Sequence, residues 1–189
     1  MKKIAISQSN YIPWIGYFEL ISFVDEFIFF DEVQYTKRDW RNWNKINSEK
    51  KTKWLTIPLK NKNNYLQKIN KMQVCHNQWI SDYLNQIKHN YKNYPNFKKN
   101  ISIIEDIYKT CNFKNLSEIN KHFIKKICEL LNIKIILNDS ENVEKKSELP
   151  SERLLEICIY SKANIYVSGS KVKKYLDQEI FEKKIKVEW

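Results

Sequence analysis

The first thirty residues constrain the fold most. Lys3-Ile4-Ala5-Ile6-Ser7 reads as a short buried strand, and Glu26-Phe27-Ile28-Phe29-Phe30 as a second. Between them, Gly16 to Val24 sets Tyr17, Leu20, Ile21 and Val24 on one helical face. Strands separated by a helix pair in parallel, because a hairpin needs only a short turn, and the crossover is expected to be right-handed. The alternation returns later. A helix over Leu116 to Leu131 precedes a strand at Ile133 to Leu137, and a helix over Pro150 to Tyr160 precedes Ile165-Tyr166-Val167. A last helical piece and Ile185-Lys186-Val187 close the chain. The expected class is α/β: a Rossmann-like parallel sheet with helices on both faces.

The middle of the chain departs from this pattern. Gln34 to Lys53 is polar and rich in tryptophan, with no clean period. Trp54 to Leu59 reads as a strand, and Lys68 to Val74 as its partner, which makes a small β-rich insertion over about 34–75. A helix opening near Asn77 carries Trp79, Ile80, Tyr83, Leu84, Ile87 and Tyr91 on one face; Pro95 ends it and Phe97 to Tyr108 forms another. Asn115 with Glu118 resembles a capping box for the helix that follows. The 189 residues suit one domain spanning 1–189.

Several function classes drop out early. With 42% hydrophobic and 14% aromatic residues the chain can build a core, so it is not a disordered protein. No apolar run approaches the roughly 20 residues of a membrane span. Met1-Lys2-Lys3 leads into no signal-peptide pattern, and Cys75, Cys111, Cys128 and Cys158 form no CxxC pair, so a reduced cytoplasmic setting is expected. His76, His89 and His122 lack zinc spacing, and no metal site is expected.

The net charge of +11 invites a nucleic-acid reading. Yet Lys, Asn, Ile, Tyr and Phe make up 97 of 189 residues, which points to an AT-rich coding background that raises lysine by drift. Against that background the scarce residues inform. The only glycines, Gly16 and Gly169, each follow a predicted strand, and two of the three arginines, Arg38 and Arg41, share one polar-aromatic segment.

Three segments project beyond strand ends, where open parallel sheets bind ligands. The first is Gln8 to Tyr17, with Asn10, Pro13 and Gly16 around a helix start. Gly16 either admits a phosphate to the helix N-terminus or lets the helix pack tightly on the sheet. The second is Ser168-Gly169-Ser170-Lys171 with Lys173 and Lys174, a phosphate clamp or an ordinary strand-to-helix turn. The third is Tyr35 to Lys45. Arg38 or Arg41 could grip a carboxylate or phosphate through two parallel hydrogen bonds, and Trp40 and Trp43 could stack on a base or sugar or anchor the loop. Asp31 and Glu32 end the second strand, where a carboxylate could act as a base; Arg153 is the one remaining arginine.

These same segments resemble the WbqC-like family. Ile4 to Phe18 looks like its opening block. Phe30-Asp31-Glu32-Val33-Gln34-Tyr35 and Trp40 to Ile46 look like its second, and Trp54-Leu55-Thr56-Ile57-Pro58 its third. Glu152-Arg153-Leu154, Tyr166-Val167-Ser168-Gly169 and Tyr175-Leu176-Asp177 look like its closing blocks. Ser7, Ser9 and Ser170-Lys171-Val172 depart from the family's usual residues. A more distant likeness, in the order strand, loop, Pro13, Gly16, Tyr17, is to nucleotidyltransferases and pantothenate synthetase, with Pro13 and Tyr17 replacing their two histidines.

The resemblance implies a nucleotidyltransferase-like sheet and transfer of a glycyl or related acyl group onto a nucleotide-linked amino sugar in O-antigen or capsule biosynthesis. On that reading Gly16, Ser168, Gly169 and Ser170, with Lys173, face the nucleotide phosphates. Gln8, Asn10, Pro13, Tyr17 and Trp40 line the ligand, with Arg153 beside them. Arg41, Asn42 and Lys45 hold the donor or sugar, and Asp31 or Gln34 orients the amine, Asp31 as candidate general base. A free-acid donor would require ATP and Mg²⁺; a charged tRNA, the less favoured donor, would give the basic surface a purpose. The competing reading is a nucleotide- or RNA-binding module without turnover.

Overall fold

The structure, a computed structural model, describes residues 1–48, 51–60, 66–170 and 172–189. It divides into two compact units. One comprises residues 1–8, 14–32 and 128–189; the other, residues 9–13 and 33–127.

The first unit is built on a five-stranded sheet whose pairs are all parallel. Its strands are β1 (Lys3–Ser7), β2 (Glu26–Phe29), β5 (Ile136–Asp139), β6 (Ile165–Val167) and β7 (Lys186–Glu188), in the order β5-β2-β1-β6-β7. The chain therefore winds outward from β1 first to one side and then to the other, which is the Rossmann-like order with its topological switch between β1 and β6. All four residues of β2 are buried, as a strand covered on both faces requires. Helices α1 (Ile15–Ser22), α5 (Pro150–Tyr160) and α6 (Gln178–Glu182) belong to this unit, which matches the expected class.

Proline at the first turn starts α5 without wasting a backbone donor. Its end, and that of α4 (Leu116–Leu130), close in one way: Lys162 and Asn132 take left-handed backbone, and Ala163 N–H and Ile133 N–H reach back to the carbonyls of Cys158 and Cys128. Drawing Ile133 into that cap moves the third core strand, expected at 133–137, to Ile136–Asp139.

A charged cluster follows β2 and β5. The Glu32 carboxylate accepts hydrogen bonds from Lys145 Nζ at 2.8 Å and Ser140 Oγ at 2.6 Å, with Arg153 Nη2 at 3.9 Å. Burial pushes the Glu32 carboxyl up, but those hydrogen bonds and the charges of Lys145 and Arg153 hold it below its ordinary value. A depressed carboxyl contributes stability that is complete above its unfolded value and is lost as pH falls through the folded one. The Lys145 side chain is only 7% exposed. Lys145→Met is therefore expected to cost about 2 kcal/mol at pH 7, less than a fully orphaned pair because Ser140 and Arg153 remain. Urea unfolding at neutral and acid pH checks it: the gap between variant and parent should narrow once Glu32 is protonated.

The second unit packs Tyr11, Tyr35, Leu55, Ile57, Ile69, Met72, Trp79, Tyr108, Leu116 and Phe123 into one core. Helices α2 (Gln78–Tyr91) and α3 (Phe97–Lys109) and most of α4 surround it in sequence. Asn115 caps α4 as expected, its Oδ1 accepting from Ser117 and Glu118 N–H. The β pairing differs from expectation. Trp43–Ser48 (β3) pairs antiparallel with Lys51–Thr56 (β4), whereas Ile69–Lys71 is a 3-10 turn and 68–74 meets the expected partner strand at the single bridge Leu59–Val74. The segment expected as an insertion over 34–75 lies within this unit.

Candidate functional site

In the first unit the two glycine-bearing turns follow β1 and β6, the adjacent strands at the topological switch. Neither glycine has a positive φ. The left-handed positions are taken instead by Ile12, Arg38, Asn96, Asn132 and Lys162. Left-handed backbone therefore requires glycine at neither position. At Gly16 the reason is visible: a Cβ there would meet the Trp14 indole at 2.0 Å. Trp14 itself is exposed and lies across the helix start. At Gly169 a Cβ would meet nothing within 4 Å. No packing in this unit explains that glycine.

Around these turns, Tyr17 OH donates to the Gln8 carbonyl at 2.9 Å, so the Tyr17 hydroxyl is already engaged. Ser168 is buried, and its Oγ accepts from Tyr166 OH. Ser170 and Lys173 enter a 3-10 turn, with Lys173 Nζ 5.4 Å from the Trp189 ring centre. Lys171 lies outside the described residues. Asp31 follows β2 and is 1% exposed. Arg153, carried on α5, lies over the Phe30 ring at 5.1 Å and close to Glu32, and so reaches the end of β2.

In the second unit a separate polar cluster forms around the 9–13 segment. Arg41 donates through Nη1 to Asn10 Oδ1, and its Nη2 lies 3.6 Å from Asp39. The Trp40 carbonyl accepts Tyr11 N–H, and Asn44 Nδ2 donates to the carbonyls of Tyr11 and Ile12. Those ties hold Ile12, a β-branched residue, at φ 45°, an uncommon and costly conformation. Pro13 follows directly. Asn42 is buried and fully used inside the fold: it accepts from Tyr35 OH and donates to the Ile57 carbonyl, each at 2.9 Å. Gln34 is exposed and bridges to Lys68 through backbone.

Sequence reasoning missed Asn120. This α4 residue is 0% exposed and donates through Nδ2 to Ser9 Oγ at 3.2 Å and the Arg41 carbonyl at 2.8 Å. Its Oδ1 has no partner among the described residues. An asparagine inside the apolar stripe Leu116, Ile119, Phe123 was the available signal.

The Trp40, Trp43 and Trp54 rings cluster: Trp43 stacks on Trp54 at 4.4 Å, and Trp40 lies 6.1 Å from Trp54 and 6.5 Å from Trp43. Lys45 Nζ lies 4.3 Å from the Trp54 ring centre. Burial raises the thiols of Cys111 to about 12, Cys128 to about 11 and Cys158 higher still, so these three are protonated at neutral pH and are not ready nucleophiles. No helix among the described residues is long and apolar enough to cross a membrane.

Comparison with known proteins places these segments in one group. The sequence profile of the WbqC-like protein family matches residues 8–189. The chain is similar to uncharacterized protein Rv1507c of Mycobacterium tuberculosis, 39% identical over 190 residues, covering 100% of this chain and 82% of that protein. No solved structure matches.

Proposed function

This chain belongs to the WbqC-like protein family, and on that premise we propose that it transfers an acyl or aminoacyl group, of glycyl type, to the amine of a nucleotide-linked amino sugar in O-antigen or capsule biosynthesis. The observation that carries the reading is the pair of glycine turns after β1 and β6, because sheets of this order bind nucleotides at the switch between such strands. Gly169, free of any packing reason, leaves room for a phosphate beside Ser168 and Ser170, with Lys173 in the same turn.

The amine nitrogen attacks the acyl carbon, a C–N bond forms, the bond to the leaving group breaks, and one proton leaves the nitrogen. Within the first unit Asp31 is the candidate acceptor of that proton; within the second, Arg41 with Asn10 is a candidate grip on an anionic group. Direct attack needs proximity and a proton acceptor and no covalent enzyme intermediate, which agrees with the protonated buried thiols. A free-acid donor requires ATP and Mg²⁺, whereas an activated donor does not.

The test incubates the protein with UDP- and dTDP-amino sugars, glycine, acyl donors and ATP, read by mass spectrometry. A gain of one acyl mass on the sugar supports transfer, and omission of ATP assigns the donor type. Unchanged sugars across the panel, with nucleotide binding intact, would leave the second reading, a binding module without turnover. That reading is favoured by the engagement of Tyr17 OH with Gln8 and by Pro13, which leave no imidazole where nucleotidyltransferases have two.

Gly169 supplies a cleaner check. Gly169→Val should leave the melting temperature nearly unchanged, since its first added atom meets open space, while nucleotide-sugar affinity falls at least about tenfold, or 1.4 kcal/mol. Isothermal titration with unaltered affinity would remove the glycine turn from the site.

A further inference from the structure

The two units differ sharply in charge. Residues 9–13 and 33–127 hold 20 Lys+Arg against 6 Asp+Glu, a net +14; the other residues hold 13 against 16, a net −3. A coding background acts along the whole chain and cannot produce this division. The excess of +11 is thus a property of one unit, and such asymmetry marks a surface that meets polyanions.

We propose that this unit binds an unpaired nucleic-acid strand on the outer face of the β3–β4 hairpin. The register sets Lys45 directly opposite Trp54, and Trp43 two residues before Lys45 shares their face; Asn44 pairs with Leu55, which is buried, on the other. The outer face therefore presents a stacked pair of indoles and a cation. Trp40 at its side is 49% exposed and Trp54 is 43% exposed. Lys45 on this face is exposed, with no ion pair among the described residues, and the exposed Lys37 and Arg38 precede the hairpin, whereas Lys51 and Lys53 alternate onto the other face with Leu55.

Exposed rings beside an unneutralised lysine supply the two components of single-strand recognition: bases stack on the aromatic faces while cations follow the phosphates. The rings of a duplex are already stacked on one another and offer no face to an indole. A neutral sugar could stack but would leave Lys45 without a counter-charge. A second copy of this unit would bring another +14 against the same face. The face shares Trp40 and Lys45 with the residues that the family resemblance sets at the ligand, but the test contains no acyl donor and reads strand binding alone.

Fluorescence anisotropy with labelled oligouridylate and oligothymidylate of about 12 nucleotides, and with a duplex of equal length, supplies the measurement, at salt from about 50 to 300 mM. Both single strands, or one of them, should bind more tightly than the duplex; their difference identifies RNA or DNA as the preferred source. Trp40→Ala should weaken binding about tenfold with the salt dependence unchanged, and Trp40→Phe should restore most of it. Lys45→Gln should instead flatten the dependence of log K on log salt by about 0.7. Trp40 sits outside the hairpin strands, so circular dichroism is expected to show an intact fold for its variants. Absence of binding at the lowest salt overturns the proposal. So does equal affinity for duplex with no effect of Trp40→Ala, which would leave a non-specific polyanion surface.

Discussion

Trp79→Ala is expected to remove about 4 kcal/mol of stability and to unfold the helical unit under mild denaturant. Trp79 is 2% exposed and its ring meets Tyr11, Tyr83, Tyr108 and Phe123, edge-on or tilted, at 5.7 to 6.5 Å. Truncation removes the largest side chain of that cluster and leaves a cavity walled by rigid rings, which relax little. The indole also brings a liability: its Nε1–H is buried with no partner among the described residues. Trp79→Phe discards that donor together with part of the volume, so it should cost much less, about 1 kcal/mol. Urea midpoints for the two variants check the contrast. Equal losses would show that the unpaired donor has no energetic weight.

On the proposed function, Arg41→Ala is expected to lower kcat/KM for acyl transfer about 100-fold, or about 2.7 kcal/mol. The Arg41 side chain is 16% exposed and fixed by Asn10 and Asp39, so its guanidinium is presented without further ordering. The backbone tie from Asn120 to the Arg41 carbonyl survives the substitution, so the loop should hold and the melting temperature should change by little. Arg41→Lys should recover only a minor fraction, because an ammonium cannot hold Asn10 and an anion in one plane. Activity within about threefold of the parent would remove Arg41 from the site.

Legibility followed burial. β1, α1 and β2 were readable because both faces of the strands and one face of the helix are covered, which writes continuous and 3.6-period patterns. β3 was not, since its outward positions carry tryptophan and lysine and its inward ones asparagine, isoleucine and serine, so no alternation survives. Ile69, Met72 and Val74 are buried around a 3-10 turn, and their spacing mimics a strand. In the candidate site, glycine and arginine counts drew attention to Gly16, Gly169 and Arg41. They could not reveal that Gly16 accommodates a neighbouring indole, or that the amide of Asn42 is consumed internally. The charge division was hidden for another reason: a formal total averages two units of opposite sign.

The outward winding of the parallel sheet also sets an order of events at the ribosome. β1 meets β2 almost as soon as both emerge, but its other edge waits for Ile165–Val167, and β2 waits for Ile136–Asp139. At 5–20 residues per second, roughly, that wait lasts on the order of ten seconds. Throughout it the nascent chain carries two naked strand edges able to template pairing with another polypeptide. β1 is made ahead of the other four strands of its sheet and, with its second neighbour arriving so late, is among the last to be secured.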